Sequence, residues 1–235
     1  MRNGILALTC CCLFALAVPR AGAAATKIEL LLDKDSVRPG EPVLAGLRMT
    51  MAPNWHTYWR NGGDVGFPTK ITLDLPNGMT TGEIQWPVPH KYFTNTLTSY
   101  EYATEAVLFI PLKIAAGTPA GSYEVTAKAS WLECETGSSC VPAKGSAKAT
   151  LLIGAETRPS AAAPLLAAAQ KLLPTTKSGL VAGAAWEKPA AGDTRPLLIE
   201  WSATARQPDF FPYSAENFEV VGPTEILRNA DGKIL

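Results

Sequence analysis

The sequence has no excess of charge of either sign and no basic cluster. Lys and Arg total 21, and Asp and Glu also total 21, so the formal net charge at pH 7 is zero. A surface that binds nucleic acid or an anionic membrane by electrostatic attraction requires clustered positive charge. Nucleic acid is therefore not an expected partner, and proteins or small molecules are the partners to consider.

Common catalytic motifs are also missing. The chain has no Gly-x-Ser-x-Gly, no phosphate-binding loop and no close carboxylate pair that stands out, so nothing in it predicts a hydrolase or a kinase. It has two histidines, His56 and His90, and neither lies in a spacing typical of metal ligands. Copper or zinc binding through these histidines and the thiols is an alternative with little support, and no metal site is expected.

Cysteine is scarce, and three of the five cysteines lie close to the N-terminus at positions 10–12. They fall within the apolar run 5–18, which follows Arg2 and precedes the small residues 21–25. This pattern predicts a secretory signal peptide over 1–25, with a mature chain that begins near Ala24 to Lys27. A lipid anchor on Cys10 is the alternative. The run is shorter than the ~20 residues of a membrane-spanning helix.

Removal of this segment leaves Cys134 and Cys140 as the thiols of the mature protein. Export places them in an oxidising compartment that permits disulfides, whereas the same pair in the cytosol would indicate metal binding or catalysis first. The mature protein is therefore expected to be exported.

Short alternating apolar runs between frequent Gly and Pro residues favour strands over helices. In the run 43–51 every second residue is apolar, the period of a half-buried strand. A turn is expected over 36–42. We predict a mostly β protein in which residues 26–155 form an immunoglobulin-like β-sandwich. The predicted strands cover 27–33, 43–51, 55–60, 70–75, 82–86, 106–114, 123–132 and 147–153.

The composition changes to Ala, Leu and Pro after the sandwich, and we predict a linker over 156–178. A short helix is expected in it, from Ala161 or Pro164 to Leu173, stopped by Pro174. Residues 179–235 are predicted to form a second β-unit with strands at 197–203 and 218–221. This unit is expected to be incomplete, because the chain ends at Leu235 just as a strand begins after the turn 229–232.

The spacing of Cys134 and Cys140 predicts a hairpin. Extended at about 3.3 Å per residue, the chain would separate their Cα atoms by roughly 20 Å, far beyond the ~7 Å limit for a disulfide. The sequence Thr-Gly-Ser-Ser at 136–139 is typical of a turn, and the apolar runs 123–132 and 147–153 can supply the two arms. The two cysteines are therefore expected to face each other across the hairpin.

Two interpretations of this pair remain open from the residues alone. A structural disulfide closing so short a loop would stabilise the fold by roughly 2 to 2.5 kcal/mol. The other interpretation is a redox pair. The neighbouring Glu133 and Glu135 would disfavour a thiolate at Cys134 by like charge, which favours Cys140 as the more readily ionised thiol.

Aromatic residues are dense between positions 55 and 102, and most of them are expected in the core. Residues 92–102 differ, since they form a predicted polar loop with aromatics at both ends. Such a loop could cover a reactive pair or anchor a partner. Alternatively, it is a hairpin connection packed by its own aromatics.

Several motifs together resemble the N-terminal periplasmic domain of the thiol:disulfide interchange protein DsbD and its relatives in the suppressor-of-copper-sensitivity group. They lie at residues 54–69, 82–87, 100–102 and 131–142. The similarity extends over residues 27–153, and more weakly from the Phe-Phe-Pro at 210–212 towards the end of the chain.

The resemblance implies an immunoglobulin-like domain in which Cys134 and Cys140 alternate between dithiol and disulfide. It implies that a membrane-embedded electron relay, on another chain or missing from this one, reduces the pair, and that the pair passes electrons to periplasmic thioredoxin-fold proteins without a cofactor. Residues 93–102 occupy the place of a cap loop, with candidate cap or partner-binding residues Phe93, Tyr100, Glu101 and Tyr102. The rival function is a secreted binding domain with a structural disulfide.

Overall fold

The computed structural model describes residues 24–94, 96–175, 179–201, 209–220, 222 and 224–227. The three N-terminal cysteines, nearly all of the predicted signal peptide and the predicted final turn and strand lie outside the described residues. Within those ranges, no helix is long and apolar enough to cross a membrane.

The described residues are mostly β, with a single short helix, so the predicted fold class is confirmed. The strands are β1 Thr26–Leu32, β2 Lys34–Val37, β3 Pro42–Met51, β4 Trp55–Gly63, β5 Lys70–Asp74, β6 Met79–Thr81, β7 His90–Thr94, β8 Leu97–Tyr102, β9 Glu105–Ile114, β10 Gly121–Glu135, β11 Cys140–Ile153, β12 Arg158–Pro159, β13 Ala182–Trp186 and β14 Leu197–Trp201, and the helix is α1 Ala163–Gln170.

Two sheets form an immunoglobulin-like sandwich. The smaller sheet has the order β1-β3-β9-β6, and the larger has the order β12-β2-β11-β10-β4-β8-β7, with β5 also paired to β10. The alternating apolar residues of β3 and of β10 are buried between the sheets, as their period of two predicts. The core therefore lies between the inner faces of β3 and β9 on one side and of β10 and β11 on the other.

Three local predictions are corrected by pairing between distant segments. The turn predicted over 36–42 begins with strand β2, because Ser36 and Val37 pair with the end of β11. The strand predicted at 82–86 is reduced to one bridge between Gln85 and Phe109, and the neighbouring β6 pairs with β9 instead. The polar loop predicted at 92–102 belongs to a β-hairpin formed by β7 and β8.

The predicted helix forms within the predicted linker and packs against the sandwich. Pro164 occupies its first turn, where a missing N–H costs least. Leu166 is 1 % exposed and packs with Val107 and Phe109 on the outer face of the smaller sheet. Gly46 makes room for it, since a Cβ at that position would lie 2.6 Å from Leu166 Cδ2. The helix thus covers one outer face of the sandwich, while the division into domains stays a prediction.

The C-terminal part contains one hairpin, formed by β13 and β14, which confirms the strand predicted from residue 197 within the described residues. A strand is predicted at 218–221, but residues 218–220 do not pair with any of the described strands. Residue 221 lies outside the described residues.

Residues 209–213, here called the returning segment, pack against β4, β8 and β7 at one edge of the larger sheet. The ring of Phe211 lies 6.4 Å from the ring of Trp59 and 6.0 Å from the ring of Tyr100. Lys91 on β7 pairs with Asp209, and the guanidinium of Arg60 lies 4.3 Å from the ring centre of Tyr213. The returning segment is therefore connected to β4 and to the β7–β8 hairpin through aromatic and charged contacts.

Candidate functional site

The site is built at the tip of the long hairpin formed by β10 and β11. Cys134 pairs with Cys140 in the ladder, their Cα atoms are 4.0 Å apart, and the two form a disulfide. The turn closes with a hydrogen bond from the Ser138 N–H to the Glu135 carbonyl. Gly137 has φ 74°, a conformation that favours glycine at the third position of such a turn. The predicted cross-strand pairing is confirmed.

The two sulfurs have different environments. Cys134 is 2 % exposed because β10 lies between β11 and β4, where Cys134 pairs with His56. Cys140 is exposed at the beginning of β11. The edge of β11 that faces away from β10 pairs with β2 only at Leu152 and Ile153, at the opposite end of the strand from Cys140. A large partner can therefore reach Cys140, whereas Cys134 is covered.

A chain of polar side chains connects the buried sulfur to β4 and β8. The hydroxyl of Tyr58 lies 2.9 Å from Cys134 Sγ, and Tyr58 is the donor because a disulfide sulfur has no proton. His56 Nε2 lies 3.2 Å from the same hydroxyl and 3.5 Å from Glu101 Oε1. Ser99 donates a hydrogen bond to Glu101 Oε1. Strands β4 and β8 thus supply one continuous polar path to Cys134 on β10.

Burial, together with the negative charge of Glu101, raises the pKa of Tyr58 to about 12. The phenol is therefore protonated at neutral pH. It can therefore donate a hydrogen bond to Cys134 Sγ.

Residues 62–67, here called the glycine loop, cover the ring of Tyr58. A Cβ on Gly66 would lie 2.1 Å from Tyr58 Cδ1, so only glycine allows the backbone to approach this ring. Gly63 has φ 71°, and a Cβ there would lie 2.2 Å from the Thr98 carbonyl oxygen. Asp64 and Thr98 exchange two hydrogen bonds, one from each backbone N–H. The glycine loop is thereby fixed to β8 over the site.

Of the four predicted cap residues, Glu101 is the one whose side chain the structure brings to the site. It pairs with Tyr58 across β4 and β8, so both side chains lie on the face of Cys134. Tyr100 and Tyr102 alternate with Glu101 and are buried on the other face, where the Tyr102 hydroxyl donates to the Pro87 carbonyl at 2.7 Å. Phe93 pairs with Thr98 and shares that face. The role of these residues as a cap stays a prediction.

Glu133 is turned away from the sulfur. Its carboxylate is 1 % exposed on the core face of β10 and accepts hydrogen bonds from the N–H groups of Ala25 and Thr26 and from the Trp131 indole. Successive side chains of a strand lie on opposite faces. The like-charge argument made from the sequence is therefore not supported for Glu133, which instead attaches the first strand to β10.

Tyr58 and the glycine loop were not identified as site residues from the sequence. Tyr58 is one of the aromatics between positions 55 and 102 that the sequence predicts mostly for the core, although the alternation of His56 and Tyr58 in a predicted strand puts both on one face. Their proximity to Cys134 depends on a contact across 76 positions, which no local pattern predicts.

No group of three or more His, Cys, Asp or Glu side chains among the described residues is arranged to hold a metal ion. His90 pairs with Glu101 across β7 and β8, and His56 is engaged with Tyr58 and Glu101.

Comparison with known proteins gives the family. The N-terminal domain of the thiol:disulfide interchange protein DsbD matches as a family over residues 29–152, more than half of the 235-residue chain. The N-terminal periplasmic domain of ScsB from Proteus mirabilis is a similar solved structure, 16% identical, covering 74% of this chain and 73% of that chain with a TM-score of 0.46. The reduced DsbD N-terminal domain of Neisseria meningitidis is 15% identical and covers 57% of this chain and 90% of that chain, with a TM-score of 0.34. No curated protein matches the sequence. The family match, which includes both cysteines of the disulfide, shows that this chain belongs to the DsbD N-terminal domain family.

Proposed function

We propose that this protein is an exported thiol:disulfide exchange module of the periplasm. Its Cys134–Cys140 pair accepts reducing equivalents from a membrane-embedded electron relay and passes them to periplasmic thioredoxin-fold proteins. The observation that carries the proposal is a disulfide between one exposed and one buried cysteine, held at the tip of a hairpin in a domain of this family.

The order of the steps proposed here starts at Cys140, the exposed cysteine of the pair. A thiolate of the donor attacks Cys140 Sγ, the bond between the two cysteines breaks, and Cys134 leaves with the electron pair and takes up a proton. A second thiol of the donor then attacks the donor sulfur of the mixed disulfide and releases Cys140. The domain is now a dithiol, and the donor is oxidised.

The second half of the cycle reverses these roles. The Cys140 thiolate attacks the disulfide of an acceptor and forms a mixed disulfide with it. Cys134 then attacks Cys140 Sγ, which releases the acceptor as a dithiol and restores the Cys134–Cys140 bond. Cys140 is thus the cysteine that contacts partners, and Cys134 is the resolving cysteine.

A purely structural disulfide is the rival, and loop length argues against it. Closing a loop of this size stabilises a fold by about 2 kcal/mol in the chain-entropy model. The sandwich has a continuous core that includes residues from β1, β3, β9, β10 and β11. A domain with such a core gains little from a short cross-link at the tip of one hairpin.

Titration of the mature domain against glutathione and thioredoxin couples tests the proposal. An exchange-active pair is expected to have a reduction potential above about −300 mV, whereas structural disulfides typically lie below this value. The Cys134→Ser variant should form a stable mixed disulfide with a thioredoxin-fold partner through Cys140, and the Cys140→Ser variant should not. A potential well below −300 mV with no trapped complex would identify a binding domain with a structural disulfide.

A further inference from the structure

We propose that Tyr58 is a catalytic residue of the exchange reaction, and that His56 and Glu101 are positioning residues that direct its hydroxyl proton to Cys134 Sγ. This inference rests on the proposed function, since it concerns how the buried cysteine leaves and attacks. The polar path of β4 and β8 would thus stabilise the charge that develops on Cys134 Sγ.

The burial of Cys134 creates the need for such a donor. When a thiol attacks Cys140, negative charge develops on the Cys134 sulfur at a position that is 2 % exposed. Burial without a partner makes a charged group costly, because the water that would stabilise it is excluded. The Tyr58 hydroxyl, 2.9 Å from this sulfur, can supply the hydrogen bond that water cannot.

The direction of the hydroxyl proton follows from its two neighbours. Tyr58 has one proton and could donate it either to the sulfur or to a ring nitrogen of His56 that carries no proton. Glu101 Oε1 lies 3.5 Å from His56 Nε2, and a carboxylate accepts hydrogen bonds only. His56 Nε2 is therefore assigned as the protonated nitrogen.

With Nε2 protonated, His56 cannot accept from Tyr58, and the hydroxyl proton is left for Cys134. The hydrogen bond from Ser99 fixes the carboxylate oxygen that Nε2 faces. The ring of Tyr58 is held in place by the glycine loop, through the close approach of Gly66. The raised pKa of Tyr58 agrees with this role, since the phenol keeps its proton at neutral pH.

The test measures the rate at which dithiothreitol reduces the disulfide of the oxidised protein. Tyr58→Phe removes only the hydroxyl, and a hydrogen bond to a charged group is strong enough to predict a rate lower by about 10-fold or more. Tyr123→Phe is the matched control, because Tyr123 is on the same strand as Cys134 but its hydroxyl donates to the Pro119 carbonyl. It should keep the parent rate.

A second measurement distinguishes catalysis from a structural role. In the reduced Cys140→Ser background, the thiolate absorbance of Cys134 is followed against pH with and without Tyr58→Phe. Loss of the hydroxyl should move the thiol titration to higher pH. If Tyr58 has only a structural role, the substitution leaves the thiol titration of the folded protein unchanged. An unchanged titration in Tyr58→Phe would therefore overturn the proposal.

The positioning role has its own pair of variants. His56→Leu removes the N–H that faces Glu101 and should lower the dithiothreitol rate several-fold, while His56→Gln keeps an N–H donor and should recover most of it. Equal rates in these two variants would contradict the role of His56. These variants also test the path if Tyr58→Phe does not fold.

Failure of this inference differs from failure of the proposed function. If Tyr58→Phe and the parent are reduced at the same rate while the parent exchanges with thioredoxin-fold partners, only the role of Tyr58 is wrong. If the parent itself does not exchange with these partners, the proposed function is wrong.

Discussion

Gly66 lies directly against the ring of Tyr58, so closely that a Cβ on it would fall 2.1 Å from Cδ1 of the ring. Gly66→Ala must therefore lift the glycine loop or displace Tyr58. We expect the free energy of unfolding to fall by about 1–3 kcal/mol, the usual cost of overpacking. Alkylation of Cys134 by iodoacetamide in a Cys140→Ser background should become faster.

Gly117→Ala is the control for this substitution, since a Cβ there meets nothing within 4 Å. It should leave both the stability and the alkylation rate near the parent values. An unchanged alkylation rate in Gly66→Ala would show that the glycine loop does not limit access to Cys134.

The disulfide is expected to be dispensable for folding. The double variant Cys134→Ala, Cys140→Ala should keep a cooperative urea unfolding transition, with a free energy of unfolding lower by about 2 kcal/mol. The chemically reduced parent provides the comparison, because it lacks the bond but keeps both side chains. Loss of the folded state in the double variant would favour a structural disulfide.

The contact of helix α1 with the sandwich is tested at Leu166. Leu166→Ala removes a side chain packed between Val107 and Phe109 and should lower the free energy of unfolding by about 2–5 kcal/mol. Leu172→Ala is the control, since Leu172 is exposed. If both variants matched the parent, the sandwich would be stable without the helix, as the predicted boundary at residue 155 implies.

The returning segment should stabilise the β7–β8 hairpin. Phe211→Ala removes the ring that contacts Trp59 and Tyr100, and because Phe211 is only partly buried we expect a loss of about 1–3 kcal/mol. Hydrogen exchange of the β8 amides should accelerate. Phe218→Ala, at an exposed position, serves as the control. Unchanged exchange in Phe211→Ala would mean that the hairpin is stable without the segment.

Alkaline pH should destabilise the fold through three buried tyrosines. Burial raises the pKa of Tyr58 and of Tyr100 to about 12, and raises that of Tyr102 as well. An unfolded tyrosine ionises near pH 10, so above this pH the unfolded state has lost protons that the folded state retains. Stability from these groups is complete below about pH 10 and is lost as the pH rises towards 12.

Each tyrosine contributes at most about 1.4 kcal/mol per pH unit to this loss. Urea unfolding at several pH values between 8 and 11.5, with tyrosinate absorbance recorded in parallel, provides the measurement. Tyr102→Phe should reduce the slope above pH 10 by about a third. A stability that is independent of pH in this range would contradict the assignment of all three groups.

The sequence predicted the sandwich and the cysteine hairpin because both depend on local signals. The period of two in β3 and β10 identifies their buried faces, and Gly137 marks the turn between the cysteines. Strand β8 is not predicted from the sequence because its buried residues include the polar Thr98 and Ser99. The backbone N–H of Thr98 donates to Asp64, and the hydroxyl of Ser99 donates to Glu101. Such a strand lacks the alternation of apolar and polar residues from which strands are predicted.

The candidate site was predicted only in part, for the same physical reason. The two cysteines are six positions apart, so a single turn brings them together. Tyr58 lies 76 positions from Cys134, and Ala25 and Thr26 lie more than 100 positions from Glu133. The face occupied by Phe93 depends on the register of β7. Such contacts follow from sheet order and register, which the residues did not specify.

The buried carboxylate of Glu133 also determines where the chain can be shortened at its N-terminal side. A protein that begins at Lys27 would lack the backbone N–H groups of Ala25 and Thr26, which donate hydrogen bonds to this carboxylate. Of its three donors, the buried carboxylate would then keep only the Trp131 indole. A fusion tag can therefore be attached ahead of Ala25, but residues 25 and 26 bond to the sandwich through Glu133 and should be retained in any version used for redox measurements.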